Sequence, residues 1–245
     1  MKLSFCEVTE KGHRKVNEDF SICKVTDECS LFVLADGLGA HLGGAHLAQA
    51  FCEAFIGLFD DFVSNMESDA SAEASILCWY NKALEQMKIE FSDDALLQEA
   101  HTTFVATYLS QSKMVTLHIG DSRVYKITEK TTWRSADHSV PQVLFDEGII
   151  SENEISSHKH QNLLTKSISL NEQDVPVVTQ LDSLERGETV VLCTDGFWAF
   201  TTEAELRKMQ GIAPDEKVLR QQIKTILKRA KRQSDNITVQ WVCNI

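Results

Sequence analysis

Strand-like runs that cluster apart from the helical segments constrain this chain more than any other feature. Leu31–Phe32–Val33–Leu34, Met114 to Ile119, Arg123 to Ile127, Thr189 to Cys193 and Ile237 to Val242 are apolar and rich in β-branched residues. After the first run come two helical patterns. From Ala45 onward, Leu47, Phe51, Phe55, Leu58 and Phe62 recur at three- and four-residue spacing as one apolar stripe. From about Ala70 to Phe91, Ile76, Tyr80, Ala83 and Met87 share one face. A third helix is predicted from about Pro214 to Lys231, turning Val218, Ile223, Ile226, Leu227 and Ala230 inward. A parallel sheet would need a helix after each strand. Segregated strands and helices instead predict an α+β fold, with helices packed on antiparallel sheets. The 245 residues contain three prolines and eleven glycines, with no linker-like stretch, so a single domain over 1–245 is expected.

Charge removes one class of function. A net charge of −12 is the wrong sign for a general binder of nucleic acid. The one basic feature is the outer face of the third helix, with Lys217, Arg220, Lys224, Lys228, Arg229, Lys231 and Arg232. It reads as a solvated face or as a docking surface for an acidic partner. Seven cysteines, none in a C-x-x-C pair and several in apolar runs, suggest reduced buried thiols in a cytoplasm. The first ten residues do not resemble a secretory leader, and no apolar run approaches the roughly 18 residues of a membrane helix.

Two of the apolar runs end alike, in Leu34–Ala35–Asp36–Gly37 and Cys193–Thr194–Asp195–Gly196. A carboxylate there sits on a rigid element and faces the space beyond the sheet. The glycine is expected to let the backbone turn sharply and expose its carbonyl. One Asp-Gly is a common turn; two after buried strands say more. Further acids lie in Arg14–Lys15–Val16–Asn17–Glu18–Asp19, in Gly120–Asp121–Ser122–Arg123 and in Asp235–Asn236–Ile237–Thr238. If they converge, their repulsion demands protons or cations, and oxygen-only ligands suit Mg²⁺ or Mn²⁺ rather than zinc. His158–Lys159–His160 lacks a nearby third ligand and reads as a surface loop. The cysteine-phosphatase, Walker, kinase and Gly-x-Ser-x-Gly signatures are absent.

Taken in order, these segments resemble the protein phosphatase 2C (PPM-type) family, in its compact bacterial form. The resemblance rests on Arg14–Asn17–Glu18–Asp19, Ala35 to His41, Gly120 to Tyr125, Asp137–His138–Ser139, Thr194 to Trp198 and Ser234 to Thr238. It covers nearly the whole chain. It implies a central β-sandwich of two antiparallel sheets flanked by helices, with metals at one end. It implies that Asp36 bridges two ions, that the carbonyl of Gly37 ligates one, and that Asp195 and Asp235 complete a shell. Glu18 and Asp19 would bind the second ion directly or through water, Arg14 would hold the substrate phosphate, and Asp121 would hold a looser third ion. Two ions a few Å apart create hydroxide near neutral pH. That hydroxide would attack phosphorus while metals and guanidinium offset the phosphoryl charge.

The resemblance further implies a phosphoserine/phosphothreonine protein substrate and an opposing serine/threonine kinase, for a monomer without nucleic-acid or membrane partners. Some relatives carry a histidine after the first Asp-Gly as the leaving group's acid; here that position is Leu38, with His41 nearby. Ala40 stands where many members have glycine. Ser139 to Val177 resembles the flap beside the active site. Other readings of the same fold are a catalytically silent binding module and a small-molecule phosphomonoesterase.

Overall fold

The computed structural model describes residues 1–39, 43–67, 71–231 and 233–245. The first half runs β1 (Leu3–Glu10), β2 (Asp19–Val25), β3 (Cys29–Leu38), α1 (Gly43–Gly57), α2 (Phe59–Glu67), α3 (Ala72–Glu90), α4 (Ala95–Gln98), β4 (His101–Thr102), β5 (Phe104–Ser110) and β6 (Lys113–Ile119). The second runs β7 (Arg123–Ile127), β8 (Thr132–Arg134), α5 (Val140–Asp146), α6 (Glu152–Ile155), β9 (Val177–Asp182), β10 (Thr189–Cys193), α7 (Asp195–Trp198), α8 (Glu203–Arg207), α9 (Glu216–Arg229) and β11 (Ile237–Asn244). One antiparallel sheet has the order β1-β11-β10-β7-β8; the other has β2-β3-β5-β6-β9, with β4 paired to the end of β3.

Strand periodicity builds the layers. Along β3, Leu31, Val33 and Ala35 face α1 and α3, where they meet Phe51, Phe55, Ile76 and Trp79. The alternate residues, Phe32 and Leu34, point the other way and pack with Val105, Leu109, Val190, Leu192 and Val242 between the sheets. On the far side, Val191, Cys193, Val239 and Trp241 meet Leu219, Ile223 and Ile226 of α9. A strand buried on both faces reads as a continuous apolar run, as β3 does. Full burial of each such side chain stabilises by about 1.5–3 kcal/mol. Trp79 locks the helical layer: it stacks on Phe55 at 4.6 Å and donates its indole N–H to the Phe55 carbonyl at 2.5 Å. The expected α+β sandwich is therefore the observed fold.

Several details differ from the sequence reading. The stripe from Leu47 to Phe62 is buried throughout but belongs to two helices, broken after Gly57. The second predicted helix starts after Ser71, whose hydroxyl caps it by accepting from the Ala74 N–H at 3.3 Å. Its expected start at Ala70 lies outside the described residues. In α9 the N-cap is Asp215, accepting from the Lys217 N–H at 2.7 Å. That phase buries Leu219, Ile223, Ile226 and Ala230 and leaves Val218 53% exposed, not inward. All seven cysteines are free, yet Cys78 is exposed rather than buried. Among the described residues, no helix is long and apolar enough to cross a membrane.

Candidate active site

The two sheets bring their acids to one end of the sandwich. In the β2–β3 ladder Asp19 stands directly opposite Asp36. Cross-strand partners share a face, so two carboxyls point the same way, an arrangement that destabilises a sheet unless a cation intervenes. Both are buried. The Asp36 backbone is clamped: its N–H donates to Thr103 Oγ1 at 3.0 Å. Its carbonyl accepts from Thr102 Oγ1 and from the Thr103 N–H, each at 2.9 Å. From the other sheet, the Thr194 hydroxyl donates to Asp19 Oδ2 at 3.0 Å. Asp195, the next residue, thus enters the same space at the start of α7.

The glycines after these aspartates do not turn the chain as expected. Neither has a positive φ, and Gly37 stays inside β3. Close approach is the requirement instead. A Cβ on Gly37 would collide with the carbonyl group of Gly44, and one on Gly196 with the carbonyl oxygen of Asn236.

The remaining predicted residues surround this centre. Glu18 is held by its backbone: its N–H donates to Asn236 Oδ1 at 2.8 Å, and its carbonyl accepts from the Gly37 N–H at 3.1 Å. Asn236 Nδ2 also donates to the carbonyls of Lys11 and Val16, both at 2.9 Å, tying the 11–18 loop to the start of β11. Arg14 is exposed at the mouth, its Nη2 2.5 Å from Asp235 Oδ2. Asp121 is buried, and Trp198 Nε1 donates to its carbonyl at 2.9 Å. Arg123 lies over the Trp198 ring, 3.5 Å from its centroid. The same guanidinium grips Asp137 through two bonds, at 2.7 and 2.6 Å. Asp137 in the Asp-His-Ser segment is thus a brace for the Asp121 and Asp195 loops. His41 and Ala40 lie outside the described residues.

Electrostatics bear out the crowding. Burial pushes Asp36 well above the usual carboxylate range, and Asp19, Asp195, Asp121 and Asp235 push it further. Burial lifts Asp19 to about 8; hydrogen bonds with Thr238 and Thr194 oppose the rise, while Asp195 and Asp235 add to it. Asp195 rises to about 6, through burial and then Asp235, against bonds from Gln161 and the Gly196 N–H and the charge of Arg14. Asp121 is raised well above its usual value by burial, then by Asp195 and Asp137. The buried atoms Asp19 Oδ1 and Asp195 Oδ1 have no hydrogen-bond partner among the described residues. Such oxygens fit a hard cation. No three His, Cys, Asp or Glu side chains among the described residues form a ready-made cage. Oxygen-only donors are the kind that suit Mg²⁺ or Mn²⁺, ions that keep several waters and take one or two carboxylates each.

Sequence reasoning gave no role to Thr102, Thr103 or Gln161. Gln161, in the flap segment, donates from Nε2 to Asp195 Oδ2 at 3.1 Å. The segment itself carries α5 and α6 and is tied down where the Thr165 N–H meets the His138 carbonyl at 2.9 Å.

Comparison with known proteins follows the same line. Residues 11–230 match the family described as Protein phosphatase 2C. The serine/threonine phosphatase stp of Listeria innocua is 28% identical over 240 residues, covering 94% of this chain and 92% of that protein. The crystal structure of the Mycobacterium tuberculosis serine/threonine phosphatase PstP/Ppp shares the fold, with a TM-score of 0.82 at 24% identity over 98% of each chain. So does the PstP catalytic domain in complex with two manganese ions, with a TM-score of 0.78 at 23% identity over 98% of this chain and 97% of that one. The family match runs from before Arg14 to beyond Trp198 and agrees with the sandwich and its buried acids, so the chain belongs to the protein phosphatase 2C family.

Proposed function

We propose that this chain hydrolyses phosphoserine and phosphothreonine esters on proteins with two divalent cations, Mn²⁺ or Mg²⁺, held at the aspartate end of the sandwich. The observation that carries the reading is the buried cross-strand pair Asp19–Asp36, joined from the second sheet by Asp195. Asp36, the Gly37 carbonyl, Asp195, Asp235, Glu18 and Asp19 are the groups that would hold the two ions, and Asp121 would hold a looser third. When bound, the pair supplies a water of lowered pKa and positive charge against the phosphoryl oxygens.

The chain's own residues then bind and orient. Arg14 is exposed and planar, with further N–H donors beyond the one given to Asp235, so it suits a phosphate at the mouth. Thr194 and Thr238 orient Asp19, and the Arg123–Asp137 brace fixes Trp198 beneath Asp121. Leu38 has no proton to give, so it cannot serve the leaving alkoxide as an acid. The reading takes 1–245 as one domain that acts as a monomer against a serine/threonine kinase. Seven free cysteines favour a reducing compartment, the cytoplasm.

The test is phosphate release from a phosphothreonine peptide and from p-nitrophenyl phosphate, with Mn²⁺, with Mg²⁺ and with EDTA. Metal-dependent release from both is expected. Folded protein that is inactive with every divalent ion would instead be a silent binding module. A strong preference for free monoesters over the peptide would make it a small-molecule phosphomonoesterase.

A further inference from the structure

One basic surface leads up to the mouth of the site. Lys217, Lys224, Lys228 and Lys231 are exposed along α9 and its end. The acids beside them are already engaged: Arg220 pairs with Glu10 and Glu216, and Arg229 with Glu205. Among the described residues, no carboxylate pairs with Lys11, Lys15, Lys228 or Lys231.

The end of α9 and the 11–15 loop meet at Ser234–Asp235. The His13 N–H donates to the Ser234 carbonyl at 3.4 Å, and His13 Nδ1 lies 2.7 Å from Ser234 Oγ. Arg14 is bonded to Asp235. Three residues of chain reach about 11 Å at most, so Lys231 lies within that distance of Ser234. A peptide anchored by its phosphate at Arg14 would reach Lys231 within three or four residues.

Lys231 also sits oddly. Its φ is 48°, the single non-glycine residue with a positive φ among the described residues. Just past the Ala230 C-cap of α9, glycine is the usual choice, and a side chain there strains the backbone. The helix dipole favours a lysine in the last turn, which accounts for Lys228, but it does not call for a side chain at 231. Strain of this kind points to a use for the side chain.

We propose that Lys11, Lys15, Lys228 and Lys231 form a docking strip for an acidic stretch flanking the phosphorylated residue of the substrate protein. The inference rests on the phosphatase reading and narrows its substrate class. On a chain of net charge −12, attraction of an acidic peptide has to come from such a local patch.

Two measurements test it: anisotropy of a labelled, unphosphorylated Asp/Glu-rich peptide, and KM for phosphothreonine peptides with acidic or basic flanks. Both are made at low and at physiological salt. The acidic-flanked peptide is expected to show the lower KM, with the preference fading as salt rises. Lys228→Glu combined with Lys231→Gly should weaken acidic-peptide binding about three- to tenfold, the scale of a few exposed charge contacts. Lys231→Gly alone should not lower Tm, which separates docking from a structural role. Equal KM for the two peptides, or unchanged binding in the double variant, overturns the strip. Turnover of p-nitrophenyl phosphate by the unaltered protein keeps the two ideas apart. Turnover without acidic preference removes the strip alone; acidic binding without turnover removes the phosphatase reading alone.

Discussion

Asp36–Gly37 and Asp195–Gly196 present the same two residues at the ends of buried strands, and the fold treats them differently. Asp36 stays in β3, opposite Asp19, with its backbone gripped by Thr102 and Thr103. Asp195 leaves its strand to open α7, and its carboxylate takes a bond from Gln161 in the flap segment. Asp36 is placed through its backbone, while the Asp195 carboxylate itself is tied to a loop. The two share burial and a glycine that admits a neighbouring backbone. The common sequence signature therefore records close approach, and the difference lies in what can move each acid.

The comparison can be broken most directly at the acids. Asp36→Asn should lower turnover by about 10³-fold or more, as expected when several kcal/mol of metal stabilisation is lost. Its Tm in EDTA should hold or rise, because a buried carboxyl that must stay protonated among other acids is replaced by a neutral amide. Near-native turnover in this variant would end the metal assignment. Asp195→Asn should also lose turnover, and its residual rate shows how far the two acids are equivalent.

The glycines come next. Gly37→Ala and Gly196→Ala should each destabilise by about 1–3 kcal/mol, the usual cost of forcing a methyl into packed backbone. Urea unfolding measures this, and a silent substitution at either site would break the close-approach account there.

The pH dependence of the metal-free protein gives a smaller effect with a defined sign. Burial lifts Asp19 to about 8 and Asp195 to about 6, above the ordinary carboxylate value of 3.8. Between those limits the folded state holds protons that the unfolded state has lost, so raising the pH favours unfolding. In EDTA, Tm should fall from pH 5 to pH 8, and Mn²⁺ should reverse the trend. A Tm that climbs over this range in EDTA would contradict the buried-acid picture.

The smallest effect sharpens the contrast itself. Gln161→Ala should weaken Mn²⁺ binding about three- to tenfold, the scale of one ordinary net hydrogen bond of about 0.7–1.4 kcal/mol. Calorimetry at constant pH reads it, with Tm as the control. No change in affinity would mean that the flap does not steady Asp195.

Much of this was legible in the chain, and the exceptions have physical causes. The five apolar runs read as strands lie in β3, β6, β7, β10 and β11. By contrast β5, Phe104–Ser110, carries Ala106, Thr107 and Ser110 along its buried length, so it lacks the continuous apolar run that marks β3 and β10. β1, β2 and β9 are half-exposed and mixed in composition, and pairing makes them strands. The acids stood out because each ends or adjoins a recognisable run. Their supports did not, since those act across the fold: Thr194 is 175 residues from Asp19, and Gln161 is 34 from Asp195. Nothing local in Thr102–Thr103 marks it as the clamp on Asp36. The expected sharp turn at Gly37 failed because its neighbour, the backbone of Gly44, comes from the start of α1.

The central claim is that acids from two sheets form one site for hard cations, and Mn²⁺ titration of the folded protein by calorimetry tests it most directly. The account predicts about two ions bound at pH 7, with release of protons from the carboxyls that burial keeps protonated, and loss of that binding in Asp36→Asn. A folded protein that takes up no Mn²⁺, or an Asp36→Asn variant that binds it as well as the unaltered chain, would contradict the account.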